Sequence, residues 1–147
     1  MKWLGPFALG WLPIGCLWLG VSIADREAPI VYESARTLST SESRGGLIEV
    51  EFVVNRLRLC PTQKVNRYII DSTGERTQVP PATTTPRQRL GLDTYRRKVV
   101  LPPQIALGPA AYQVEIFFEC NVIHRLGYPI VVLSPKAEFE VFAANYS

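Results

Sequence analysis

The chain has 147 residues, of which 47% are hydrophobic and 20% are charged, and its formal net charge is +3. That length is enough for one domain with an apolar core and a short additional segment. A net charge this small, spread over mixed acidic and basic residues, excludes a chain that binds nucleic acid through a strongly basic surface.

The first feature along the chain is an uncharged run that begins at Trp3 and ends at Ala24. As a helix it is long enough to cross the roughly 30 Å hydrocarbon core of a bilayer, and one lysine is the only charged side chain before it. The run predicts a single-pass signal anchor in residues 1–26, with a domain of residues 27–147 outside the cytoplasm. Three alternatives stay open: a signal peptide cleaved after its small-x-small ending, a lipoprotein signal that ends at Cys16, and a buried core helix.

From residue 28 onward, short stretches with alternating apolar residues are separated by turn signals, which is typical of antiparallel β-proteins. A polar loop is expected at residues 39–46, and a shift of the apolar phase predicts a β-bulge between Val54 and Arg56. The last strand is expected to be interrupted by Ser134 and Pro135. The stretches that we interpret as strands are residues 28–38, 47–59, 64–71, 76–79, 93–101, 112–120, and 130–133 with 138–142.

The corner before the sixth of these stretches carries a more specific signal. Gly108 and Pro109 precede Tyr112, and from Tyr112 to Cys120 every second residue is apolar. This pattern resembles the E–F corner and F strand of immunoglobulin-like and fibronectin type III-like sandwiches. The resemblance implies an all-β, antiparallel immunoglobulin-like sandwich of about seven strands, preceded by one N-terminal hydrophobic helix. It also implies that the Tyr112 ring is buried and that its hydroxyl bonds the backbone of the preceding corner.

The resemblance has a consequence for two cysteines. In a sandwich of this topology the second strand and the F strand run parallel in opposite sheets, so Cys60 and Cys120 lie at the same end. An extracytoplasmic domain permits oxidation, and the resemblance therefore implies a Cys60–Cys120 disulfide. The alternative is two reduced, buried thiols. The overall layout also resembles uncharacterised membrane-anchored proteins of bacteria and tailed phages, a likeness that implies no activity.

Two loops carry the candidate binding residues. The stretch from residue 80 to 91 has no periodicity and is interpreted either as a crossing loop between sheets or as a binding loop. The stretch from residue 121 to 129 is a second loop between strands. The candidate residues are Arg87 and Arg89 in the first loop, and His124, Arg125 and Tyr128 in the second.

Residue patterns that support catalysis or metal binding are missing from the sequence. His124 is the single histidine, no serine lies in a nucleophile elbow, and there is no CxxC or phosphate-binding glycine loop. We therefore expect no catalytic residue, no metal and no cofactor. The predicted function is a non-enzymatic, membrane-anchored, extracytoplasmic module that binds or scaffolds a protein partner and does not bind nucleic acid. The alternatives are a structural or virion-associated assembly protein, a secreted domain after signal cleavage, and an enzyme.

Overall fold

Most of the described chain is β structure. The computed structural model describes residues 5–80 and 89–143. The β-rich class expected from the alternating apolar residues is confirmed, with more strands than the seven expected. The elements, in chain order, are α1 Gly5–Ala24, β1 Ile30–Thr37, β2 Ser41–Ser43, β3 Leu47–Arg56, β4 Thr62–Ile70, β5 Arg76–Gln78, β6 Gly91–Val100, β7 Gly108–Phe118, α2 Val122–Arg125, β8 Ile130–Leu133 and β9 Ala137–Phe142.

The strands form two sheets. The smaller sheet has the order β1-β3-β6 and is antiparallel throughout. The larger sheet has the order β2-β9-β7-β4-β5, with β8 also pairing with β7. Because β2 runs parallel to β9 while the other pairs are antiparallel, the larger sheet is mixed.

The interruption of the last strand lies where the sequence predicts it. β8 pairs with residues 115–118 of β7, and β9 pairs with residues 108–112 of the same strand. Between β8 and β9, the backbone N–H of the buried Ser134 donates to the Val114 carbonyl, as in a strand ladder. The Ser134 hydroxyl accepts a hydrogen bond from the Val114 backbone N–H at 2.9 Å. A serine side chain thus pairs a backbone donor at the point where Pro135 breaks the ladder.

The two sheets share one hydrophobic core. Alternate residues of a strand point to opposite faces, and the inward faces of both sheets contribute to the same cluster. Its centre is the Phe52 ring, which has ring centroids of three tyrosines within 6.2 Å. The buried members are Ile48, Val50, Phe52, Val54, Ile69, Val99, Leu101, Ile105, Ala110, Tyr112, Val114, Ala137, Phe139 and Val141.

Two local predictions are wrong. The expected polar loop at residues 39–46 contains β2, because pairing with β9 uses backbone groups and needs no apolar side chains. The expected bulge near Val54 does not occur, since β3 pairs residue for residue with β6 up to Arg56 and the chain then leaves the sheet. The change in apolar phase marks the end of the strand. Bulges occur in β1, between Tyr32 and Ser34, and at the start of β4.

The prediction of a single-pass membrane anchor is also wrong. No helix among the described residues combines the length and apolar character that crossing a bilayer requires. Pro13 and several glycines dilute the apolar run of α1, and its C-terminal end makes polar contacts with the β domain, as the Ser22 carbonyl accepts a bond from Asn121. The predicted localisation as a single-pass membrane protein is wrong together with this anchor. The division of the chain at residue 26 stays a prediction.

Candidate binding loop at the disulfide end of the sheets

The predicted disulfide is present. Cys60 and Cys120 are bonded, with their Cα atoms 4.8 Å apart. Cys60 follows β3 of the smaller sheet and Cys120 follows β7 of the larger one, so the bond joins the two sheets at one end. Both cysteines pack against a small apolar cluster of Ile30, Phe118 and Ile130.

The loop that follows Cys120 begins with a capped helical turn. Asn121 is the N-cap of α2, and its side-chain oxygen accepts a hydrogen bond from the His124 backbone N–H at 3.1 Å. Asparagine is among the preferred residues at this position because its side chain pairs a backbone donor that the helix leaves free. The Asn121 amide nitrogen donates to the Ser22 carbonyl at 3.0 Å. One side chain therefore orders the loop and attaches it to the end of α1.

His124 supports the loop from behind. The side chain is fully buried. Its Nδ1 accepts a hydrogen bond from the Cys120 backbone N–H at 3.2 Å, and its Nε2 lies 2.9 Å from the Asp25 carbonyl oxygen. The neutral ring with its proton on Nε2 satisfies both contacts. His124 therefore does not reach the loop surface as a candidate contact residue, and it holds residues 120 and 25 together instead.

The segment between α1 and β1 is fixed against the same loop by charged groups. Arg58 binds both Asp25 carboxylate oxygens at 3.0 Å and also donates to the Glu27 carbonyl. The hydrogen bond from Arg58 is the main cause that lowers the pKa of Asp25, against the smaller opposing effect of burial. Arg26 donates to the Tyr128 carbonyl at 3.1 Å. These contacts bring residues that are about a hundred positions apart in sequence into one junction.

The outer side of the loop is apolar and aromatic. Leu126 is 71% exposed and Tyr128 is 63% exposed, and Val122 is also on the surface. Arg125 extends over Glu119, with a nitrogen–oxygen distance of 3.5 Å. The loop thus presents two large side chains to solvent while its backbone is held by the cap, the histidine and the disulfide.

Other sequence candidates are not in this loop. Arg89 is exposed next to the start of β6, and Pro109 lies at the exposed start of β7, opposite Glu140. Arg87 lies outside the described residues.

The corner around Gly108 lacks the expected hydrogen bond from the Tyr112 hydroxyl to the corner backbone. Gly108 has a φ of 106°, a conformation that glycine adopts at little cost. The Tyr112 ring is fully buried, and that burial raises the pKa of its hydroxyl to about 12. However, the hydroxyl does not bond the corner backbone, because the ring faces the core and the Leu107 carbonyl accepts from Ser72 at 2.7 Å instead.

Sequence reasoning missed Arg58, Asp25 and Asn121 as parts of the junction. Asn121, directly before the first residue of a short helical turn, matches an N-cap pattern and could have been identified. The pairing of Arg58 with Asp25 leaves no trace in local sequence. Within residues 5–80 and 89–143, no group of three or more His, Cys, Asp or Glu side chains is placed to hold a metal ion.

Comparison of the chain with known proteins identifies no family and no matching curated protein. A solved structure that it resembles is the Pseudomonas fluorescens alkylpurine DNA glycosylase AlkC bound to DNA containing an abasic site analog, at a TM-score of 0.47 and 15% identity. The match covers 85% of this chain and 33% of that one, so the chain spans about a third of the glycosylase's length.

Two expectations are withdrawn at this point. AlkC is an enzyme and is bound to DNA, the opposite of our predictions that the chain is not an enzyme and that it has no nucleic-acid partner. Neither prediction is carried further. A similarity at this level transfers no activity and no ligand to this chain.

Proposed function

We propose that this chain is an immunoglobulin-like β-sandwich that binds a protein partner through the loop at residues 121–129. The strand order supports the fold. In immunoglobulin-like domains, strands A, B and E share one sheet and strands C, F and G the other. The order β1-β3-β6 corresponds to A-B-E, and the order β9-β7-β4-β5 corresponds to G-F-C-C′.

The observation that carries the binding proposal is an exposed apolar pair on a fixed backbone. Large side chains such as Tyr128 and Leu126 cost free energy when they stay in contact with water, and aromatic residues are enriched at binding hot spots. A loop that is already ordered loses little conformational entropy on binding. The contacts of His124 and Asn121 supply that order.

The surroundings indicate the chemistry of the partner. Arg26 is exposed and its guanidinium group contacts the Tyr128 carbonyl, at the rim of the apolar pair. Arg125 is another rim cation, with Glu119 as its neighbour. The partner surface that fits is an apolar pocket with acidic groups at its edge, because charge complementarity at the rim speeds encounter and selects orientation.

A site-specific photo-crosslinker tests the proposal. The crosslinking amino acid replaces Leu126 in the full chain, and the matched control carries it at Val100, which is 62% exposed and pairs with Leu47 at the opposite end of the smaller sheet. We expect one discrete adduct with a heterologous protein from position 126 and none from position 100. Excess unlabelled wild-type chain should suppress the adduct, and an unlabelled Tyr128→Ala chain of unchanged Tm should not.

Several results would contradict the proposal. Equal adducts from both positions would mean nonspecific contact. Suppression by Tyr128→Ala as effective as by the wild type would mean that the exposed tyrosine does not contribute. An adduct made of two copies of this chain would assign the loop to self-association instead.

A further inference from the structure

Two arginines that are removed from solvent have no ion pair. Arg56 is only 8% exposed and Arg67 is half-buried. Neither has an ion pair or a side-chain hydrogen bond with any described residue. Arg36, Arg96 and Arg125 have largely exposed side chains, and each forms an ion pair with a glutamate. Because burial of an unpaired guanidinium group is costly, Arg56 and Arg67 are the two that most need a partner.

No side-chain carboxylate of the chain forms an ion pair with either of them. All 13 aspartate and glutamate residues lie within the described ranges. The ion pairs among those ranges involve Arg36, Arg58, Arg96 and Arg125. Asp93, on the inward side of β6 opposite Val54, pairs with neither arginine. The structure therefore neutralises neither guanidinium group with an acidic side chain of this protein.

Both arginines lie on inward faces of the sheets. Arg56 shares its face of β3 with Phe52 and Val54, and Arg67 shares its face of β4 with the buried Ile69. The two strands belong to different sheets. The two guanidinium groups therefore enter the space between the sheets from opposite sides.

Tyrosine hydroxyls lie in the same space. The rings of Tyr32, Tyr95 and Tyr112 surround Phe52, with centroid distances of 5.7, 5.3 and 6.2 Å. Burial raises the pKa of Tyr95, and the Tyr32 hydroxyl and the charges of Arg97, Arg56 and Arg67 lower it in part. Both buried arginines therefore lie close enough to act on one tyrosine hydroxyl.

Three donors in this region are buried without a partner among the described residues. They are the hydroxyl of Tyr112, Nε of Arg56 and Nη1 of Arg67. Buried polar groups are nearly always hydrogen-bonded, because an unpaired one costs about 1–3 kcal/mol. Three unpaired donors, two of them cationic, call for a ligand that accepts several hydrogen bonds and carries negative charge.

We propose that the space between Arg56 and Arg67 is a binding site for a small oxyanion, a phosphate or a carboxylate group. The guanidinium groups supply charge and forked donors, which match the oxygens of such groups. The Tyr112 hydroxyl donates to a remaining oxygen. The ring of Phe52 and its neighbours exclude water and so strengthen these contacts. The site is independent of the loop at residues 121–129.

Thermal unfolding of the full chain tests the proposal. Inorganic phosphate, acetate and chloride are compared at one ionic strength, and the tyrosine ultraviolet difference spectrum is recorded in parallel. A bound anion raises Tm saturably. We expect a saturable rise with phosphate or acetate and none with chloride, together with a tyrosine spectral change of the same midpoint. Preference for phosphate or for acetate distinguishes a phosphate ligand from a carboxylate ligand.

Variants assign the effect to the site. Arg67→Gln should weaken the anion at least tenfold in apparent Kd, and Tyr112→Phe should weaken it less. The control Arg36→Gln, on the outer face of β1, should keep the response. If Arg67→Gln does not fold, Arg56→Gln and the wild-type difference spectrum take its place. The absence of a saturable response, or an equal response in the Arg67→Gln chain, would overturn the proposal and assign the three donors to internal water.

Discussion

The hydroxyl of Tyr112 is buried in the core without a hydrogen-bond partner among the described residues. The apolar alternation along β7 places its ring between the sheets, and the ring is close to Phe52. The polar end of the side chain is carried into the core with the ring. At the scale of one residue, apolar packing of the ring determines where the Tyr112 side chain lies. The environment of the hydroxyl is a consequence of that packing.

Replacement of Tyr112 by phenylalanine tests this view. In buffer without phosphate or carboxylate, we expect Tyr112→Phe to leave the free energy of unfolding unchanged or to raise it by up to about 1 kcal/mol, because an unpaired buried hydroxyl is removed. Tyr112→Ala should cost about 3–5 kcal/mol, since it leaves a large cavity. Urea unfolding measures both. A loss of 1 kcal/mol or more (about the value of one hydrogen bond) in Tyr112→Phe would show that the hydroxyl has a partner.

At the scale of elements, the smaller sheet is joined across its outer face by one carboxylate. Arg36 of β1, Glu51 of β3 and Arg96 of β6 lie side by side in the strand register. The Glu51 oxygens are 2.6 Å from Arg36 and 2.9 Å from Arg96. Hydrogen bonds from Arg36 and then Arg96 lower the pKa of Glu51. One central acid thus links three strands that local sequence does not connect.

This arrangement predicts a pH dependence. A carboxyl whose pKa is lower in the folded state contributes stability that is present above its unfolded pKa and is lost as pH falls through the folded pKa. We expect Glu51→Gln to have a lower urea midpoint than the wild type at neutral pH, with the difference shrinking as pH falls toward about 2. Glu49→Gln, on the same face, is the control. A constant difference at every pH would refute a charge effect.

At the scale of the whole molecule, the Cys60–Cys120 bond joins the two sheets across a sequence separation of 60 residues. The bond also lies directly before the loop at residues 121–129, where His124 accepts from the Cys120 backbone. It is therefore expected to act both on global stability and on the order of the proposed binding surface.

Loss of this bond should be among the most damaging changes. In the chain-entropy account, a closed loop of this length contributes about 4 kcal/mol, so Cys60→Ala/Cys120→Ala should lower Tm strongly, and reduction of the wild type should have the same effect. Cys16→Ser is the control, because that cysteine is free and exposed. Thermal unfolding with and without reductant measures the change. A shift equal to that of the control would mean that the bond does not constrain the unfolded chain.

Part of this fold could be predicted from local patterns. Period-two alternation located most strands, because one face of each is buried and the other is wet. Proline marked the break at residue 135, because it cannot donate to a ladder. For the binding loop, turn-rich sequence between two strands pointed to Arg125 and Tyr128. These features depend on residues that are neighbours in the chain, so the sequence alone is enough to identify them.

Other features were decided by the tertiary structure alone. β2 exists because β9 offers a free edge to its backbone, and His124 is buried because residues 25 and 120 enclose it. The surroundings of Arg56 and Arg67 likewise depend on the distance between strands of different sheets. Ion pairing, burial and backbone pairing depend on the distances between groups that the fold brings together. The linear order of residues does not contain those distances.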